Sequence, residues 1–163
     1  MTDTPWIPST ELLDELALIL TGPFDTEPGG WFDRTTRELV FLQFDPFDGL
    51  PKLSDPSDEF AVKQRELATR ILAEPDRYIR FDSGHDAFGL WDFLDSVEDK
   101  SVRDRLRDAS DGGRGAFRRV RNALDDMGLQ QLWWDFETRA NRQLARDWLQ
   151  EHGLVAEDVG GLA

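Results

Sequence analysis

Between Asp111 and Arg121 the chain places three glycines (Gly112, Gly113, Gly115) and four arginines (Arg114, Arg118, Arg119, Arg121) in eleven residues. Each guanidinium carries a planar fork of donors that fits a carboxylate or phosphate. Gly113 and Gly115 free the backbone to turn its N–H groups toward one point. A helix starting just beyond would add unpaired N–H groups and the positive end of its dipole. Together, Gly113, Arg114, Gly115, Arg118, Arg119 and Arg121 read as an anion-binding patch. Arg118 and Arg119 would stand in that helix's first turn, where a cation opposes the dipole. Arginines at that end need an anionic partner, which is either a ligand or one of the chain's own carboxylates. The same stretch is not a phosphate-cradling loop of the Gly-Lys-Ser/Thr kind, nor a dinucleotide fingerprint, because it follows a helix rather than a strand.

Other reactive combinations are sparse. Trp134, in Trp133-Trp134-Asp135-Phe136, falls off the apolar stripe of its helix and could be a stacking platform for a flat ligand; the ordinary alternative is a ring covering the edge of a small core. Asp82-Ser83-Gly84-His85-Asp86 holds a His-Asp pair, but the chain has two histidines and no cysteine. That is too few nitrogen and sulfur ligands for a His-based metal site, so neither a metal nor a cofactor is expected. No Gly-x-Ser-x-Gly stretch supports a serine nucleophile. With 33 acidic residues, chance carboxylate pairs carry no information.

The frame around these residues is acidic. Nineteen basic residues against 33 acidic ones leave a net charge of −14 over 163 residues. The balance is uneven: residues 101–121 hold seven arginines and three aspartates. The whole molecule repels duplex nucleic acid at long range, and only this basic stretch attracts an anion. Absence of cysteine fits a cytoplasmic setting. No Lys or Arg precedes Arg34, so no secretory signal is expected, and the longest apolar runs are far too short to span a bilayer.

The length suits one domain, taken as residues 1–154, with 155–163 as a short tail. Leu12, Leu13, Leu16, Ile19 and Leu20 repeat at helical spacing behind Ser9 and Thr10, predicting a helix over 9–20. Thr21–Gly30 reads as loop. Trp31-Phe32 and Leu39–Phe44 predict a hairpin whose turn is Asp33–Arg37, and 77–81 predicts a further strand. Between them lie a Pro-rich loop over 45–56 and a helix over 58–73. A helix over 84–96 capped by Asp82 or Ser83 is expected next, then one opened by a Ser101/Asp104 capping box and running to Ser110. Helices over 116–127 and 129–152 follow, closed by Gly128 and Gly153. Phe117, Val120, Ala123, Leu124 and Met127 form the core stripe of the first of these, with Arg118, Arg121, Asn122 and Asp125 opposite. Leu132, Trp133, Phe136, Ala140, Leu144 and Trp148 form that of the second. The fold class is α+β: a small antiparallel sheet of about three strands, a hairpin over 31–44 plus 77–81, covered by five or six helices.

Several of these stretches carry a resemblance. Trp31-Phe32-Asp33 with Thr36 and Glu38, Arg77-Tyr78-Ile79, Gly113-Arg114-Gly115-Ala116-Phe117-Arg118-Arg119, Trp133-Trp134-Asp135-Phe136 and Ala145-Arg146-Asp147-Trp148-Leu149 follow one another in order. This series resembles a bacterial family catalogued as uncharacterised protein family 0158, over about residues 31–154. Thr36-Arg37-Glu38 stands where that family has Thr-Gly-Glu, so the hairpin turn must manage without glycine. Val120-Arg121 stands where it has Phe-Lys, keeping an apolar position and a cation. The resemblance implies a domain and brings no activity, cofactor or catalytic residue.

The expected function is therefore a non-catalytic cytoplasmic binding or interaction module, its arginine patch holding a small anion, a nucleotide or an acidic partner. The alternatives are a metal-independent enzyme acting on a phosphate-bearing or nucleotide substrate, with Arg118 and Arg119 stabilising charge, and an acidic structural adaptor for a basic partner protein.

Overall fold

The computed structural model describes residues 5–22 and 29–156. The middle of the expected loop over 21–30 and most of the expected tail over 155–163 lie outside the described residues. Among those described, six α-helices and one three-stranded antiparallel sheet form an α+β fold. The chain divides into two compact units, one drawn from Leu18–His85 and one from Met1–Ala17 with Asp86–Ala163. No described helix is long and apolar enough to cross a membrane.

The first of these units holds the sheet. Strand β1 (Gly30–Asp33) lies between β2 (Glu38–Phe41) and β3 (Tyr78–Arg80). Its register sets Trp31 opposite Val40 and Arg80, and Asp33 opposite Glu38 and Tyr78. The hairpin turn is tied by Asp33, whose Oδ1 accepts from the Thr35 and Thr36 N–H groups at 2.8 and 3.2 Å. Arg37 closes the turn at φ 60°, the left-handed conformation that glycine would adopt without a Cβ clash. The Pro-rich stretch makes a single turn of 3-10 helix at Pro46–Asp48. A long helix, Glu59–Ala73, is capped by Asp58, whose side chain accepts from Ala61 N–H at 3.1 Å. Trp31, Leu42, Ala68, Ile71 and Tyr78 bury the apolar faces of these elements together.

Numbered in chain order, the helices are α1 (Thr10–Thr21), α2 (Glu59–Ala73), α3 (Leu90–Ser96), α4 (Lys100–Ser110), α5 (Ala116–Met127) and α6 (Gln130–Glu151). Helices α3 to α6 build the second unit. Its core is Phe93, Leu94, Val97, Leu106, Val120, Leu124 and Trp133. Phe88, Phe93 and Phe117 each meet the Trp133 ring edge-on, at 5.5, 4.9 and 5.7 Å between centroids. Such T-shaped pairs set ring orientation as well as burying area. Arg142 on α6 grips Asp14 on α1 with two hydrogen bonds, at 2.7 and 2.9 Å, and holds that carboxyl below its ordinary range.

Three local expectations are corrected. The helix expected over 84–96 begins only at Leu90. Gly84 turns the chain at φ 83°, Asp82 pairs with His85 rather than capping a helix, and the start is fixed by Asp92 accepting from Gly89 N–H at 2.6 Å. The α4 cap is Asp99, accepting from Val102 N–H at 3.0 Å, not Ser101. Two residues read as core are substantially exposed, Phe117 at 44% and Leu132 at 40%. The buried face of α6 is instead Trp133, Ala145, Trp148 and Leu149, and the first turn of α5 projects past the core, which it enters only at Val120.

Candidate functional site: a cationic and aromatic groove

Helix α5 starts from Gly115, which sits in the left-handed region at φ 83° and offers no side-chain cap. Gly112 and Gly113 before it are also at positive φ, so the three glycines wind the chain tightly between α4 and α5. This winding turns carbonyl oxygens, not N–H groups, toward a common point. Arg119 fills it. Its Nε donates to Ala109 O at 2.9 Å, one Nη to Arg114 O at 2.9 Å, and the other to Asp111 O at 2.8 Å, with Ser110 O and Gly113 O at 3.5 Å. A helix leaves its last carbonyls without internal partners. Here the first turn of α5 supplies the cap for the end of α4. The charge of Arg119 thereby lies at the negative end of the α4 dipole, which offsets its unfavourable position at the start of α5.

The glycine loop is thus a cradle for an internal cation, and Arg119 is not among the groups that face outward. Gly113, Arg114 and Gly115 surround that guanidinium; a Cβ at Gly112 or Gly115 would meet it at 3.6 and 3.5 Å.

Arg118 and Arg121 have a different setting. Both line an open groove of about 530 Å³ between α5 and α6, with Phe117, Asn122, Leu124 and Asp125 on the α5 wall and Gln130, Trp133 and Trp134 on the α6 wall. The helical period explains the set: residues 118, 121, 122 and 125 fall on one face of α5. Gly128, in the left-handed region at φ 68°, ends α5 and lets α6 fold back. Trp133 forms the floor at 7% exposure, while Trp134 stands 53% exposed. The Arg121 guanidinium lies 6.0 Å from the Trp133 ring centre, within cation–π range. Among the described residues, no carboxylate forms an ion pair with Arg114, Arg118 or Arg121, Asp125 included; other arginines, such as Arg77, Arg80, Arg107 and Arg142, do have one.

Three of the residues singled out from sequence, Arg118, Arg121 and Trp134, therefore meet in one concavity, and Gly113, Arg114, Gly115 and Arg119 do not line it. Asn122 and Asp125 were legible beside the arginines by helical spacing. Phe117 and Gln130 were not, the first because its apolar character assigned it to the core. No family model, curated protein or solved structure matches the chain.

Two smaller concavities differ in character. One in the same unit joins Phe88, Phe136 and Leu144 to Asp86, Asp92 and Asp147. One beside the sheet is lined by Phe44, Leu53, Phe60, Lys52 and Arg65, and there Arg65 is held by the Pro51 carbonyl. His85 Nε2 lies 2.8 Å from Asp82 Oδ2, and among the described residues no group of three or more His, Asp or Glu side chains is placed to hold a metal ion.

Proposed function

We propose that this chain is a non-catalytic binding module that holds an anionic ligand in the groove between α5 and α6, with Arg118 and Arg121 supplying the charge. The observation that carries this reading is that Arg118 and Arg121, neither with a carboxylate partner among the described residues, line one concavity together with Trp133 and Trp134. Lys52, Lys63, Arg70, Arg105, Arg139 and Arg146 also form no ion pair among the described residues, so what sets Arg118 and Arg121 apart is that both line one concavity, open to an outside anion. Their spacing of three residues lets two forks converge on one group. The alternative reading, an enzyme using Arg118 and Arg119 on a phosphate-bearing substrate, is weakened because Arg119 donates to five carbonyls of its own loop. A cytoplasmic setting and membership of family 0158 accompany the proposal on the strength of composition and motif.

The test is thermal unfolding of the wild type, Arg118→Ala and Arg121→Ala with and without inorganic phosphate or pyrophosphate. A ligand that binds only the native state at a hundred times its Kd stabilises by about 2.7 kcal/mol. The expected result is a rise in the wild-type midpoint that either substitution abolishes. A wild type that responds to neither anion, or variants that respond equally, would overturn the reading.

A further inference from the structure

We infer that the ligand of this groove is a nucleoside monophosphate, its base against Trp134 and its phosphate between Arg118 and Arg121. The inference rests on the anion-binding reading above and adds the chemistry of the remaining walls.

A site for a bare inorganic anion needs donors and no rings. This groove sets two guanidiniums on α5 against Trp133 and Trp134 on α6, with Phe117 at its side and Leu124 below. Trp134 is off the buried face of its helix and half in water, whereas Trp133 beside it is clamped by three edge-on rings. That clamp fixes the first turn of α6, so Trp134 is carried on a rigid support. An exposed indole on a fixed backbone is a preformed surface for a flat ring.

The polar groups that remain match a base and a sugar. Asn122 and Gln130 each present an amide with donors and an acceptor, the pairing that reads two adjacent positions on the edge of adenine. Asp125 offers only acceptors at neutral pH, suited to a sugar hydroxyl or an exocyclic amine, and it opposes further negative charge. Residues 118 to 125 span about 10 Å along the helix axis, and the groove volume of about 530 Å³ falls in the range of small-molecule sites. A long polyanion is disfavoured by the net charge of −14.

The experiment measures affinities of adenosine 5′-monophosphate, ribose 5-phosphate, adenosine and inorganic phosphate by calorimetry. It uses the wild type, Trp134→Ala and Trp134→Phe, with tryptophan emission as a second readout. Trp134 is exposed, so both variants should keep the wild-type unfolding midpoint, which is measured alongside. The expected result is that adenosine monophosphate binds roughly tenfold or more tightly than ribose 5-phosphate and quenches emission. Trp134→Ala should remove that advantage and leave the ribose 5-phosphate affinity unchanged, and Trp134→Phe should keep most of it. Equal affinity for the nucleotide and ribose 5-phosphate would overturn the base-stacking inference and leave the anion groove standing. No binding of any phosphate would overturn both.

Discussion

Arg77 in the sheet unit and Arg118 with Arg121 in the helical unit lie near aromatic rings in the same acidic chain, yet their charges are disposed of in opposite ways. Arg77 grips Asp33 with two hydrogen bonds at 2.9 and 2.8 Å, adds Glu74 at 3.0 Å, and lies over the Tyr78 ring. Strand pairing decides this. The register that sets Asp33 opposite Tyr78 brings the carboxylate next to the residue before Tyr78, so the ion pair forms wherever the sheet forms. On α5 the acid with helical spacing, Asp125, lies four residues beyond Arg121, the weaker orientation for such a pair, and the two do not bond. Strand register brings Arg77 and Asp33 together, whereas Arg118 and Arg121 stand on a face of α5 where, among the described residues, no carboxylate pairs with them.

Asp33→Ala should have the largest effect in either region. It removes the partner of Arg77 and the acceptor for two turn N–H groups. Asp33 is 3% exposed, and its loss strands two turn N–H groups while Arg77 keeps Glu74, so a cost of about 3 kcal/mol is expected. Chemical denaturation should show a large fall in midpoint; a change under about 1 kcal/mol would mean that the turn is held by other contacts.

Arg119→Ala comes next. It leaves the half-buried Ala109 and Ser110 carbonyls without this donor while the exposed ones turn to water, and a loss of about 2 kcal/mol is expected. Arg119→Lys should recover only part, because an ammonium lacks the planar fork that reaches carbonyls on several sides. Full recovery in the lysine variant would mean that charge at the α4 terminus, not the fork, is what matters.

Acid should weaken the sheet unit through the same pair. The hydrogen bonds from Arg77 hold the Asp33 carboxyl down to about 2, against the opposing effect of burial and with help from Thr35 and Thr36 N–H. A carboxyl depressed in the folded state contributes stability that is present above its ordinary pKa of 3.8 and is lost as the pH falls toward 2. The contribution is roughly 2 kcal/mol. Unfolding midpoints followed from pH 5 to pH 2 should fall in the wild type, and Asp33→Asn should lack this component of the slope. The smallest effect is expected in the groove: Arg118→Ala or Arg121→Ala should change stability by less than about 0.5 kcal/mol without ligand. A larger loss from either would make the two regions alike after all.

The elements were legible where apolar spacing and breakers agreed, as in α1, α2, α5, α6 and the hairpin. They were not where aromatic density imitated a helix. Phe88, Trp91, Phe93 and Leu94 suggested a continuous helix, but Gly84 and Gly89 interrupt it, and Phe88 reaches the core from the irregular segment before α3. In the groove, Arg118, Arg121 and Trp134 could be found because helical period alone sorts side chains by face. The role of Arg119 could not. Its partners are main-chain oxygens of residues 109–114, and no residue type marks a carbonyl that a loop has turned inward. The sequence raised carboxylates as the rival to a ligand, and the acceptors are instead peptide groups.

A loop wound around a guanidinium has a fixed length. Surface connections ordinarily absorb insertions, deletions and even new chain ends with little consequence, but every residue from Ala109 to Arg114 except Gly112 presents its carbonyl to Arg119. Adding or removing one would shift the oxygens out of reach of the fork. The α4–α5 junction is glycine-rich and exposed, the usual marks of a tolerant splice point, and it is a poor place to cut, tag or permute this protein.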